Sequence, residues 1–268
     1  MESIDAHPKN SERKVDLGGS GDCDGISHKR HAVKLPSRPQ DKIILALDVR
    51  DTDEALQLLD RLEEAPTICK IGMELFTAEG PLVVKAVQNR GCMVFLDLKF
   101  HDIPNTVASA VRSAAELGVV MTTLHAAGGP VMLEAASKAA EGSNILLLAV
   151  TVLTSMDTSQ LAPTGILVEP EEQVIRLTGL AADAGIGGVV CSPREIAAIR
   201  SNYGARLKIV TPGIRPSWSS DGDQKRVMTP AEAVRYGADW LVIGRPVTAA
   251  TDPKEAMSRI YEELLLSS

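Results

Sequence analysis

From residue 41 onward, short apolar runs rich in β-branched residues alternate with longer segments whose apolar positions recur at helical spacing. Runs of the first kind are typical of buried parallel strands, and segments of the second kind are typical of amphipathic helices. The eight predicted strands read KIILALDV, TICKIGME, MVFLDLKF, VVMTTLHA, NILLLAVTVL, GGVVCS, LKIVTPGI and WLVIGRPV. A helical pattern follows each of them, so the chain repeats a strand and helix unit eight times.

Helix boundary signals agree with this alternation. Thr52, Thr229 and Asp252 stand where N-caps are expected, since their side-chain oxygens can accept a hydrogen bond from an unpaired backbone N–H. Glycines stand where five of the helices should end, at Gly91, Gly118, Gly142, Gly185 and Gly204. Eight such units in about 230 residues favour an α/β fold of the (β/α)8 TIM barrel type over an open doubly wound sheet. No GxGxxG motif follows the first strand, which further weakens a dinucleotide-binding sheet.

Residues 1–40 differ in character from the rest of the chain. They are rich in Ser, Gly, Asp, Lys and Pro and carry charges of both signs without apolar periodicity, which predicts a disordered tail. Residues 41–268 then form a single barrel domain. The tail histidines are interpreted as solvated side chains rather than metal ligands: His7, His28 and His31.

Composition narrows the possible functions. A net charge of −7 speaks against nucleic acid as a partner, although a few local Lys and Arg residues can still bind an anionic ligand. No apolar run approaches the ~20 residues that cross a bilayer, and the N-terminus lacks the apolar segment of a signal peptide. The four cysteines show neither CxxC pairs nor histidines at metal-ligand spacing, which predicts reduced thiols in a cytoplasmic protein and no metal site.

Charged residues recur where the apolar strands end. Asp48 ends the first strand, Lys70 lies on the second, and Asp97 and Lys99 lie on the third, within DLKFHDIPNTV. Burying a charge costs several kcal/mol unless a partner is supplied. In a barrel, the carboxyl ends of the strands build the active site. Repeated charges at these positions therefore indicate a functional cluster.

The third strand suggests how these charges meet. Asp97 and Lys99 are two positions apart, so strand alternation sends both side chains into the barrel interior. Lys70 on the neighbouring strand can reach the same place, which gives an alternating chain of Lys, Asp and Lys. Asp102 follows on a loop, where it extends this chain or points away. An ion-pair cluster that only fills the barrel is the alternative.

The ends of strands seven and eight form a second candidate site. Backbone N–H groups in TPGIR and, around Gly244, in IGRP lie beside Arg215 and Arg245. Barrels often bind phosphate after these two strands, and arginine offers forked donors to phosphate oxygens. Two surface arginines beside tight turns are the alternative.

The segment DLKFHDIPNTV closely resembles the signature of the orotidine 5′-phosphate decarboxylase family, in its bacterial branch. The surrounding motifs occur in that family's order, from about residue 41 to the C-terminus: LALD and KIGMEL before this segment, and TLHAAGG, VTVLTSM, VTPGIRP, DQKRVMTP and VIGRP after it. The resemblance implies a barrel that converts orotidine 5′-monophosphate to UMP and carbon dioxide, the last step of de novo pyrimidine synthesis. It further implies a homodimer that needs neither a metal nor an organic cofactor.

Matching positions imply individual roles. Lys99 resembles the acid that protonates C6 of the pyrimidine as carbon dioxide leaves, and Asp97 resembles the carboxylate that faces the substrate's carboxylate. Asp102 resembles the aspartate that is given to the partner subunit's active site. Lys70 and Asp48 resemble residues that bind the ribose hydroxyls and hold the charged chain in place. Thr154 resembles the hydroxyl residue that recognises the pyrimidine. Arg215, Gln224 and Arg245 resemble the residues that bind the phosphate.

Two other functions stay open on the sequence. Metal-dependent relatives such as 3-keto-gulonate-phosphate decarboxylase and hexulose-phosphate synthase are similar at strand three, but they use a carboxylate for magnesium near the position of Lys70. A lysine there repels a cation. The other alternative is a barrel that binds a phosphate ligand without catalysis. Every proposed acid, base and phosphate residue is present, so nothing in the sequence supports that loss of activity.

Overall fold

Eight parallel strands pair in chain order in a computed structural model of the chain, and the last strand pairs with the first to close a barrel. The structure describes residues 36–62, 64–219 and 228–266. The strands are β1 (Ile43–Ala46), β2 (Ile68–Gly72), β3 (Met93–Phe100), β4 (Met121–His125), β5 (Leu146–Val150), β6 (Gly188–Val190), β7 (Lys208–Thr211) and β8 (Trp240–Ile243). The prediction of a (β/α)8 TIM barrel is confirmed.

Helices separate successive strands and surround the barrel. Within the described ranges they are α1 (Thr52–Asp60), α2 (Met73–Glu79), α3 (Leu82–Gln88), α4 (Pro104–Glu116), α5 (Pro130–Ala140), α6 (Thr158–Leu161), α7 (Pro170–Asp183), α8 (Ile196–Tyr203), α9 (Pro230–Tyr236), α10 (Arg245–Thr248) and α11 (Pro253–Leu265). The helix predicted after β2, over residues 80–91, corresponds to α3, whereas the preceding helix α2, which Gly80 ends with a φ of 67°, was not predicted. No helix in these ranges is both long enough and apolar enough to cross a membrane.

The predicted helix boundaries hold with one correction. Thr229 and Asp252 cap α9 and α11, as expected. Helix α1 is instead capped by Asp51, whose carboxylate accepts the backbone N–H of Glu54 at 2.8 Å, so the prediction of Thr52 is wrong by one residue. The five glycines predicted to end helices all adopt positive φ.

Two apolar layers hold the barrel together. On β3, Val94 and Leu96 pack outward in the layer shared with the helices, whereas Phe95 packs inward with Met121 and Trp240. With only 3% aromatic residues, both layers consist mainly of Ala, Val, Ile and Leu. The inward positions become polar toward the carboxyl ends of the strands, and this change places the charged residues at one mouth of the barrel.

The predicted tail falls mostly outside the described residues, which begin at Pro36. Its last residues are regular, since Pro39–Lys42 forms a 3₁₀ turn. Arg38 precedes this turn and forms an ion pair with Asp41 at 2.9 Å. Regular backbone therefore begins two residues before the predicted start of the barrel domain.

Candidate active site

A cavity of about 280 Å³ opens at the carboxyl ends of the strands. Its wall contains every site residue that the sequence predicts except Asp102 and Gln224: Asp48, Lys70, Asp97, Lys99, Thr154, Arg215, Gly244 and Arg245. Gln224 lies outside the described residues. The two regions predicted separately, the charged end of β3 and the ends of β7 and β8, thus face one cavity.

Four charged side chains form a continuous chain along one side of this cavity. Lys99 Nζ lies 2.9 Å from Asp97 Oδ1, and Lys70 Nζ lies 3.6 Å from Asp97 Oδ2. Lys70 also donates a hydrogen bond to Asp48 Oδ1 at 2.9 Å. The structure therefore brings together the Lys, Asp and Lys charges as predicted and adds Asp48 at the outer end.

Asp97 is the centre of this chain, and its surroundings keep it ionised. Burial raises the pKa of its carboxyl group. The positive charges of Lys70 and Lys99, with hydrogen bonds from Lys99 and Thr123, outweigh that effect and hold the pKa of Asp97 below its ordinary value. The Asp97 and Lys70 side chains are only 13% and 10% exposed, whereas Asp48 is 54% exposed. The ion pairs at Asp97 are therefore shielded from water.

Strand β3 is irregular where it carries the two charges. Lys99 has a φ of 53°, a left-handed conformation that is otherwise confined to glycine among the described residues. The pairing of β3 with β4 also shifts register between Leu96 and Phe100. The Lys99 side chain faces the barrel cavity, as strand alternation predicts. Its backbone, however, is not that of a regular strand. A left-handed residue other than glycine is strained, and such strain is common at functional sites.

Thr123 is a site residue that the sequence analysis missed. Its hydroxyl donates a hydrogen bond to Asp97 Oδ1 at 2.9 Å and accepts one from the backbone N–H of Lys99 at 2.9 Å. Thr123 is completely buried and lies on β4, next to β3. The only available signal was a polar residue at an inward position of an apolar strand, and threonine is common in strands for packing reasons.

The ends of β7 and β8 carry the two arginines of the cavity wall. Arg215 is buried just after β7 and donates a hydrogen bond to the carbonyl of Ile214 at 2.9 Å. Arg245 is exposed and begins α10 directly after Gly244. Both arginines line the same cavity, and a shared phosphate site there stays a prediction.

His125 ends β4, and its ring centroid lies 5.3 Å from that of His101. Burial, together with the charges of His101 and Lys99, lowers the pKa of His125, although Asp97 acts in the opposite direction. A neutral imidazole at physiological pH follows. His125 is also absent from the cavity wall.

Asp102 lies apart from the charge chain. It follows β3 on an exposed loop, and its carboxylate accepts the backbone N–H of Ile103 at 2.6 Å. Ile103 is 67% exposed, which is unusual for a large apolar side chain. The structure therefore does not bring Asp102 into this cavity.

Comparisons with known proteins identify the family of the chain. Residues 41–260 match the Orotidine 5'-phosphate decarboxylase / HUMPS family. The orotidine 5'-phosphate decarboxylase of Saccharophagus degradans is 50% identical over 234 residues, which cover 86% of this chain and 98% of the relative. That of Moorella thermoacetica is 54% identical over 233 residues, 84% of this chain and 92% of the relative. The crystal structure of orotidine 5'-phosphate decarboxylase from Lactobacillus acidophilus superposes with a TM-score of 0.73 at 38% identity, covering 83% of this chain and 98% of that one. The chain therefore belongs to the orotidine 5'-phosphate decarboxylase / HUMPS family.

Proposed function

We propose that this protein decarboxylates orotidine 5′-monophosphate to UMP and carbon dioxide, the last step of de novo pyrimidine biosynthesis. Relatives that carry this enzyme name are about half identical to the chain over almost their full length. The observation that carries the proposal is the charge chain of Lys99, Asp97, Lys70 and Asp48, which lines one cavity together with two arginines.

The proposed reaction needs a proton donor at one carbon. When the bond from C6 to the carboxylate breaks, carbon dioxide leaves and the electron pair stays on C6. The Lys99 ammonium group donates its proton to that carbon, and the neutral amine then recovers a proton from water. A fixed positive charge at the carbon where negative charge develops stabilises the transition state. Asp97 orients this ammonium group through their 2.9 Å contact.

The substrate is proposed to lie across the cavity. Its phosphate binds Arg215 and Arg245, its ribose lies near Asp48 and Lys70, and its pyrimidine lies between Lys99 and Thr154. Binding energy gained at the phosphate, far from C6, then contributes to the transition state. Gln224 is proposed as a further phosphate ligand on the strength of the sequence resemblance alone.

We also propose that the functional unit is a homodimer in which Asp102 enters the active site of the partner subunit. The family resemblance is the basis of this proposal. Two features of the subunit agree with it, since Asp102 lies outside its own cavity and the adjacent Ile103 exposes an apolar side chain. An apolar residue beside a catalytic aspartate is suited to an interface between subunits.

The metal-dependent members of the family are disfavoured by the charges around Asp97. A magnesium ion bound to this carboxylate would lie beside two ammonium groups, at Lys70 and Lys99. Hard divalent cations require oxygen ligands, and positive neighbours oppose their binding. Within the described ranges, no group of three or more His, Cys, Asp or Glu side chains is arranged to hold a metal ion.

The proposal is tested by the loss of orotidine 5′-monophosphate absorbance with purified protein in EDTA. Wild type, Lys99→Ala and Lys138→Ala are compared, because Lys138 is an exposed lysine on α5, away from the cavity. Turnover that resists EDTA, is abolished in Lys99→Ala and persists in Lys138→Ala is the expected result. Turnover that requires added magnesium, or no turnover by the wild type, would overturn the proposal.

A further inference from the structure

The hydroxyl group of Thr123 connects the two central charged residues of the site. It donates its single proton to Asp97 Oδ1 at 2.9 Å, and one of its lone pairs accepts the backbone N–H of Lys99 at 2.9 Å. A hydroxyl has one donor and two acceptor positions, so both contacts can form together. One oxygen atom on β4 is thus hydrogen-bonded both to the Asp97 carboxylate and to the backbone of Lys99.

These contacts form in a part of β3 that lacks regular pairing with β4. The register shift between Leu96 and Phe100 interrupts regular pairing with β4, and Lys99 adopts a left-handed φ of 53°. A strained residue persists only where its surroundings determine its conformation. The backbone N–H of Lys99 also needs an acceptor, and the completely buried Thr123 hydroxyl supplies one.

We propose that Thr123 is a positioning residue for the decarboxylation, because it fixes the strained backbone of Lys99 and the carboxylate of Asp97 in one arrangement. This inference rests on the proposed function. Thr123 does not line the cavity, so it acts through these two neighbours rather than by touching substrate. Without the hydroxyl, the Lys99 backbone loses its acceptor and Asp97 loses a donor. The ammonium group then points less accurately at the reacting carbon, and a displacement of about 1 Å can lower a rate by about 100-fold.

The neighbouring residue Thr122 provides a matched control. It lies on the same strand and is equally buried, and its hydroxyl donates a hydrogen bond to the carbonyl of Leu96 at 2.8 Å. That bond does not involve Asp97 or Lys99. Thr122→Val and Thr123→Val each replace a buried hydroxyl by a methyl group of similar size, but only the second removes contacts to the charge chain.

The experiment compares kcat, KM and thermal unfolding for wild type, Thr122→Val, Thr123→Val and Thr123→Ser. Thr123→Val is expected to lower kcat by about 10- to 100-fold with KM little changed, because substrate-binding residues stay in place. Thr123→Ser keeps the hydroxyl and is expected to restore most of kcat. Thr122→Val is expected to keep kcat near wild type even where it lowers the unfolding temperature as much as Thr123→Val does.

Equal kcat values for folded Thr123→Val and Thr122→Val, with an active wild type, would overturn this inference and leave the proposed function intact. A loss in Thr123→Val that Thr123→Ser does not restore would also overturn it. A wild type without turnover would overturn both. If Thr123→Val does not fold, Thr123→Ala removes the same hydroxyl without introducing a further methyl group, and its kcat is compared with that of Thr122→Ala.

Discussion

Lys99 Nζ lies 2.9 Å from Asp97 Oδ1, although a left-handed backbone at Lys99 interrupts the strand that carries both residues. The two charges therefore meet through an irregular segment, in which the proposed proton donor adopts a strained conformation. In a regular parallel pair, the backbone N–H of Lys99 would donate to a backbone carbonyl of a neighbouring strand. In the irregular segment this N–H instead donates to the side-chain hydroxyl of Thr123, so a residue of β4 helps to fix the position of Lys99.

The first prediction concerns the stability of the charge chain. Asp97→Asn keeps the shape of the side chain but leaves the Lys70 and Lys99 ammonium groups without the negative charge between them. Removing one partner of a buried ion pair typically costs about 3–5 kcal/mol, so a large fall in the free energy of unfolding is expected together with loss of turnover. Denaturant unfolding measures the first effect.

Asp60→Asn is the control for this variant. Asp60 pairs with Arg90 at 2.8 Å, and both side chains are well exposed. A surface pair contributes about 0–1 kcal/mol, so the control should unfold almost like the wild type. Equal losses in the two variants would contradict the interpretation of Asp97 as the centre of a buried network.

The second prediction concerns acid pH. Because the pKa of Asp97 is lowered in the folded protein, the folded state favours the ionised carboxylate more than the unfolded state does. This contribution to stability is complete above the unfolded value of about 3.9 and is lost as the pH falls through the lower folded value. The difference in unfolding free energy between wild type and Asp97→Asn should therefore shrink as the pH falls from 5 toward the folded pKa. A difference that stays constant over this range would show that the charge of Asp97 does not stabilise the fold.

The sequence predicts the barrel well because each unit carries its own signal. In β3, for example, the apolar run before Asp97 identifies a buried strand, and the glycine at 118 marks the end of the following helix by its positive φ. The charged strand ends also identify most of the site. Barrel closure then follows from eight consecutive units with short connections, since parallel strands need a helical crossover between them.

Two features of the site could not be predicted from the sequence. The left-handed conformation of Lys99 depends on a register shift between β3 and β4, and no glycine or turn motif marks it. The role of Thr123 depends on the face of β4 from which its hydroxyl projects and on the groups of β3 that lie beside it. Both features depend on contacts between strands, which local propensity and spacing do not specify.

The third prediction concerns the phosphate end of the cavity. Arg215→Ala and Arg245→Ala are each expected to lower kcat/KM for orotidine 5′-monophosphate by roughly 10- to 100-fold, because a hydrogen bond to a charged group contributes about 1.5–3 kcal/mol. The same variants should act on orotidine, which lacks the phosphate, about as fast as the wild type does. Arg176→Ala is the control, since Arg176 pairs with Glu172 on the exposed face of α7. An equal loss with both substrates would show that these arginines do not recognise phosphate.

The fourth prediction tests the sharing of Asp102 between subunits. Asp102→Ala and Lys99→Ala should each lose most activity as separate proteins, because each dimer then lacks either the aspartate or the acid in both sites. After subunit exchange at equal concentrations, about half of the dimers are hybrids. One site in each hybrid combines Lys99 from one subunit with the partner's Asp102, so about a quarter of the wild-type activity should return.

Recovery in this mixture depends on exchange, and differently tagged subunits that are purified together can demonstrate it. A mixture that exchanges subunits without regaining activity would contradict the shared site. If Asp102→Ala alone stays active, the exposed carboxylate at the start of α4 does not take part in the reaction, and its contact with the Ile103 N–H at 2.6 Å would then be its main role. Mixing either variant with itself controls for activity that returns on dilution and reassociation alone. A recovery found only in the heterologous mixture therefore requires two subunits to complete one site.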